Sequence, residues 1–201
     1  MSIFVIADLH LSFKNPKPMD IFGDNWTKHE EKIKKDWNEK VKEEDLVVLP
    51  GDFSWATYIE DTIPDFEYLN SLPGKKIMLK GNHDYWWTTV TSMRKFLKEN
   101  KFQNIDFLYN NSFEYENKIL CGTRGWSLVD EEIDEKLINR ELGRLELSLQ
   151  DGAKKASPEK AVDWTISQLA KQITMSAETR KAYKRAFMMS LHDNGKAQGK
   201  K

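Results

Sequence analysis

The chain has 201 residues, enough for one sizeable hydrophobic core and short for two. Its 31 Lys and Arg against 32 Asp and Glu leave a net charge of −1, which excludes the global basic footprint of a nucleic-acid binder. No apolar run approaches the ~20 residues of a membrane helix, and a single cysteine, Cys121, excludes an internal disulfide.

The chain opens directly on an apolar run, Ile3–Ile6, with no basic stretch or cleavage site of a signal peptide, so a cytoplasmic protein is expected. A helix follows from Asp24 or Asn25 to about Lys42, where Trp26, Ile33, Trp37 and Val41 recur near helical spacing. Its many Lys and Glu read as a solvated face. Leu46–Leu49 is a second strand. Tyr58–Leu69 is helical, with Pro64 opening a new helix inside it. Ile77–Leu79 is a third strand, and Thr88–Glu99 a helix with Val90, Met93 and Leu97 on one face.

Further strands are expected at 105–108, 113–115 and 118–121, the last two joined by a turn at Glu116-Asn117. Cys121 then falls in an apolar strand as a small buried residue. A helix from Glu131 to Leu149 is expected to stop at Asp151-Gly152. Beyond it, Ser157 and Pro158 open a helix carrying Val162, Ile166, Leu169 and Ile173 on one face, and Ser176 a second. From Asp151 onward there are 11 Lys and Arg against 5 Asp and Glu, so a basic helical tail at 151–201 follows a domain at 1–150. Such a tail suits an acidic partner or nucleic acid, or docking on the sheet.

Three segments carry the chemistry. Ala7-Asp8-Leu9-His10, Pro50-Gly51-Asp52-Phe53 and Lys80-Gly81-Asn82-His83-Asp84 each follow one of the first three apolar strands. In an α/β sheet of parallel strands, ligands bind at the carboxyl ends. Taken singly the first two motifs are weak, since Gly-Asp is ordinary turn chemistry and D-x-H also reads as a polar strand end, while Gly-Asn-His-Asp straight after an apolar strand is more specific. Together they bring Asp8, Asp52, His10, His83 and Asn82 to one sheet edge, with Asp84 next to His83. Carboxylate and imidazole donors suit Mn, Fe, Zn or Ni. Asp8 and His10 point the same way on extended chain, Asp52 can bridge two cations, and Asn82 offers a neutral oxygen. His83, with Asp84 beside it as an orienting carboxylate, can protonate a leaving group. Phe53, Trp55, Tyr85, Trp86 and Trp87 are either core or a pocket wall, and Arg124 either a phosphate contact or structural.

Asp8-x-His10, Gly51-Asp52 and Gly81-Asn82-His83-Asp84 resemble the first three signature blocks of the calcineurin-like metallophosphoesterases, and Leu120–Trp126 with the helix to Glu141 resembles a bacterial branch of that family. The resemblance covers roughly 1–150. It implies a layered α/β/β/α sandwich, a dinuclear metal centre and hydrolysis of a phosphomono- or diester. It also implies Asp8, His10 and Asp52 at one metal, Asp52 and Asn82 at the other, and His83 as the acid.

The family adds a later His and a Gly-His-x-His block. Here the histidines are His10, His29, His83 and His192, and neither pattern occurs. An incomplete domain is therefore expected, with a weakly held second metal, weak activity, and self-association through an uncovered sheet. The alternative is a family remnant that acts by binding.

Overall fold

The computed structural model describes residues 2–116, 118–124, 135–155 and 164–166. The chain forms two compact units, Met1–Leu108 and Tyr109–Lys201. Its mixed α/β architecture, with a parallel sheet and covering helices, is the one expected. Among the described residues no helix is long and apolar enough to cross a membrane.

The first unit is a parallel sheet in the order β1-β2-β3-β4, formed by Ile3–Val5, Leu46–Leu49, Lys75–Met78 and Ile105–Phe107. Parallel neighbours need a crossover each, and the connections contain α1 (His29–Lys40), α2 (Ile63–Asn70) and α3 (Val90–Glu99). Strand β2 is buried along its whole length, which is why it reads as the unbroken apolar run Leu-Val-Val-Leu. Val47, Leu49, Met78 and Phe107 share one core with Trp37, Phe66, Leu69, Met93 and Leu97 from the helices. The register Val5↔Val48 and Val48↔Ile77 sets the carboxyl ends of β1, β2 and β3 side by side. That is what positions the three motifs.

Local chemistry accounts for the helix limits. Pro64 opens the first turn of α2, as expected, where a missing N–H costs nothing. Thr89 caps α3 by accepting the Ser92 N–H at 3.2 Å. The first helix departs from expectation: Asp24–Trp26 is a separate short 3-10 turn, and Lys28 in the left-handed region (φ 51°) delays α1 to His29. Lys76 on β3 was not anticipated. Its side chain is fully buried and its ammonium donates to the Leu72 carbonyl. Burial pushes its pKa down to about 8.

In the second unit β5 (Ser112–Tyr115) and β6 (Lys118–Cys121) form the expected antiparallel hairpin. Ile119 and Cys121 pack on Leu145 and Leu149 of α4 (Glu135–Lys155). Burial pushes the Cys121 thiol up to about 11, in keeping with an inert core residue. Arg124 is structural in its contacts: its Nε donates to Glu141 Oε1 at 2.9 Å, and Arg144 donates to the same oxygen at 2.7 Å.

Two expectations fail here. Helix α4 does not stop at Asp151-Gly152 but runs through them, because the Asp151 carboxylate accepts the Ser112 N–H and hydroxyl, both at 2.8 Å, and the Lys155 ammonium at 2.7 Å. These bonds dock the last turn on β5 and outweigh the ~1 kcal/mol that a helical glycine costs. And Trp164–Ile166, expected to be helical, is strand β7, parallel to β6. Trp, Thr and Ile are all strand formers, and the open ladder of β6 selects that preference. The remaining tail, with the expected Ser176 helix and His192, lies outside the described residues, as do Gly125, Trp126 and residues 131–134.

Candidate metal centre

Beyond β1 and β2 the chain does not diverge but stays zipped. The Asp8 N–H donates to the Gly51 carbonyl at 3.1 Å, His10 N–H to Asp52 at 3.0 Å, and Leu11 N–H to Phe53 at 2.9 Å. The three residues expected at the first metal all lie in the left-handed region, Asp8 at φ 63°, His10 at 46° and Asp52 at 53°. Non-glycine residues held there cost about 1–3 kcal/mol each and persist where the surroundings over-determine them. The conformation turns the side chains back toward one point. Asp8, His10 and Asp52 each offer a ligand atom within 4.8 Å of the others.

The donor set fits a cation. His10 Nε2 lies 3.4 Å from Asp8 Oδ1 and 3.9 Å from Asp52 Oδ2. Atoms bound to one transition metal at about 2.0–2.2 Å sit at most about 4.4 Å apart, so both His10 pairs fall inside that span. Burial pushes the His10 imidazole down from its ordinary value, while the charges of Asp52 and Asp84 pull it up. The neutral ring is the ligating form. His10 and Asp52 are almost fully enclosed, whereas the Asp8 side chain keeps 22% exposure, which leaves a route for water.

Asp52 also joins the third motif. Its Oδ2 lies 2.8 Å from His83 Nδ1, and its Oδ1 accepts the His83 backbone N–H at 3.0 Å. His83 is therefore oriented by Asp52 and not, as expected, by Asp84. Asn82 is exposed, and its amide nitrogen lies 3.2 Å from His83 Nδ1.

Asp84 has a different task from the expected one. It is completely buried and accepts backbone N–H groups from Gly81 (2.7 Å), Asp52 (2.9 Å) and Phe53 (2.9 Å), and the Trp86 indole N–H at 3.1 Å. Burial pushes its carboxyl up, against the pull of those donors. It staples the second and third motifs together beside Asp52. The glycines permit this approach, for a Cβ on Gly51 would stand 2.3 Å from the Gly81 nitrogen.

The aromatics divide between the two roles. Phe53 and Trp86 are core residues packed on Phe66. Trp55 stacks on the His10 ring at 4.9 Å and lies 5.3 Å from His83, with the Lys17 ammonium 4.4 Å above its own ring. Beside it a cleft of ≈ 380 Å³ opens between Ser12, Lys17, Met19, Trp26 and His29.

Sequence reasoning missed two supporting residues. Asp65 accepts the Phe13 N–H at 2.9 Å and the Ser54 hydroxyl, tying the loops after β1 and β2 to α2. In sequence it looks like any acid in a first helical turn. His29, read as part of a charged helix, donates from Nε2 to the Leu9 carbonyl at 2.9 Å. The Trp26-x-x-His29 pair of large residues ahead of a charged helix was the available signal.

Over residues 1–169 the chain matches the family model described as calcineurin-like phosphoesterase. Among solved structures it is similar to the crystal structure of a protein of unknown function from Aquifex aeolicus, at 23% identity, covering 73% of this chain and 72% of that one, with a TM-score of 0.43. No curated protein matches the chain significantly.

Proposed function

The chain belongs to the calcineurin-like phosphoesterase family, and from that premise we propose that it hydrolyses a phosphomono- or diester at a metal centre built on Asp8, His10 and Asp52. The observation that carries this reading is the convergence of those three donors from two neighbouring strand ends. A divalent transition metal bound there, Mn, Fe, Zn or Ni, supplies Lewis acidity toward a phosphoryl oxygen and lowers the pKa of water.

The chain's own groups do the rest. Asp52 faces His10 on one side and His83 on the other, so its carboxylate can serve two cations or hold His83 in place. His83 is a third exposed, and an imidazole anchored through Nδ1 can contact phosphoryl oxygens or pass a proton to the leaving oxygen. Trp55 and the exposed Tyr85 flank this ring and would exclude water from one side of a bound ester.

A second reading is a protein that binds one ion and a phosphoester without rapid turnover. Among the described residues, the Asp8-His10-Asp52 group is the candidate metal cluster. A second ion would have the shared Asp52 and the neutral Asn82. Two oxygen donors hold a transition metal poorly, so the first ion is tight, the second weak and hydrolysis slow.

Elemental analysis combined with Mn²⁺-dependent hydrolysis of bis(p-nitrophenyl) phosphate tests both readings. Turnover lost in Asp52→Asn supports the enzyme. One bound ion without turnover supports the binding protein, and no bound ion contradicts both.

A further inference from the structure

Leu9 sits between two residues of positive φ, Asp8 and His10, and its side chain is completely buried. The N–H groups of Asp8, His10 and Leu11 are held by carbonyls of the neighbouring loop. The Leu9 carbonyl is held from the other side, by His29 Nε2 at 2.9 Å. A carbonyl can only accept, so Nε2 carries the proton. The ring is packed in turn: it meets the Trp26 ring edge to face with centroids 5.3 Å apart, and its Nδ1 lies 3.2 Å from Glu30 Oε2, an ion pair when both ring nitrogens carry protons. Trp26 also lies 5.9 Å from the His10 ring. The start of α1 therefore clasps the strained turn on the side away from β2.

We infer that His29 is a positioning residue for the metal centre: its Nε2–H holds the Leu9 carbonyl and so keeps Asp8 and His10 in the left-handed conformation that makes their side chains converge. It touches no donor atom of the metal group itself. The inference rests on the reading of Asp8, His10 and Asp52 as metal donors. If His29 is removed, the Leu9 peptide loses its clasp, and the Asp8 and His10 side chains are no longer held at the separation a cation needs.

The test compares His29→Gln, His29→Leu and His29→Asn by Mn²⁺ titration followed by electron paramagnetic resonance, and by amide exchange of His10 and Leu11 in the metal-free protein. A glutamine amide nitrogen reaches where Nε2 stands; leucine has no donor, and asparagine falls one bond short. Mn²⁺ affinity should fall roughly 10–100-fold in the leucine and asparagine variants, the range found when a partner supporting a ligand is lost. It should stay close to wild type in the glutamine variant. Exchange at His10 and Leu11 should rise in the same two variants and not in the third.

Should the leucine variant fail to fold, the glutamine–asparagine pair decides. Equal Mn²⁺ affinity and equal exchange across the set would overturn the inference, as would a glutamine variant as impaired as the asparagine one. A wild-type protein that takes up no Mn²⁺ would defeat the metal reading instead, and the exchange rates would then decide the role of His29.

Discussion

Gly51 and Gly81 meet backbone to backbone, so that a Cβ on Gly81 would lie 2.1 Å from Asp52 Oδ1 and one on Gly51 would lie 2.4 Å from the Gly81 Cα. Two strand-end loops cross at van der Waals limit, and Asp52 stands at the crossing. Gly51 also has φ +130°, a region closed to other residues. Gly51→Ala should therefore cost about 3 kcal/mol or more, since strain and a backbone clash add. Urea denaturation measures it. Gly23, at a similar φ but with nothing within 4 Å, provides the control for strain alone.

Asp84 accepts five N–H groups from inside the protein. Asp84→Asn keeps its shape but turns an amide NH₂ toward donors that need an acceptor. The expected loss is about 2–5 kcal/mol of folding stability, since buried donors left unsatisfied cost about 1–3 kcal/mol each. A residue whose work is confined to catalysis would change turnover and leave the urea midpoint alone.

Lys76 is buried with its folded pKa lowered from 10.5 to about 8. Between those values the unfolded chain binds more protons, so this group makes stability rise with pH across that window. Below pH 8 the cost of burying the ammonium is present in full. Lys76→Met should stabilise the protein by about 1–3 kcal/mol at pH 7, one pKa unit being worth about 1.4 kcal/mol. The advantage should fade as pH rises through the window. Paired urea titrations at pH 7 and pH 10 read both the size and the sign.

The strands were legible because β1 to β3 are short apolar runs ending in Gly or charge; burial on both faces imposes that pattern on β2 and on most of β3, whereas β1 carries it with Val5 exposed. Asp8, His10 and Asp52 were legible as candidates because their types and strand-end positions match metal chemistry, and they lie together as a group that could hold an ion. Their geometry was not, since nothing local announces that all three adopt positive φ; the zipped loops, the Asp84 staple and the His29 clasp hold them there. Asp84 was misread because adjacency to His83 in sequence is not adjacency of side chains: the turn sends one outward and the other into the core. The continuation of α4 through Asp151-Gly152 and the strand at Trp164–Ile166 were hidden for a related reason. In both, a tertiary bond or ladder overrides a local stop or helical pattern.

The central claim is that Asp8, His10 and Asp52 hold a divalent metal together. It is tested most directly by titrating the purified chain with Mn²⁺ and following the ion by electron paramagnetic resonance, beside Asp52→Asn and His10→Ala. The account predicts one tightly bound ion per chain in the wild type, and at least tenfold weaker binding in each variant, as loss of one of three ligands demands. A wild-type chain that leaves Mn²⁺ free, or variants that bind it as tightly as the wild type does, would contradict it.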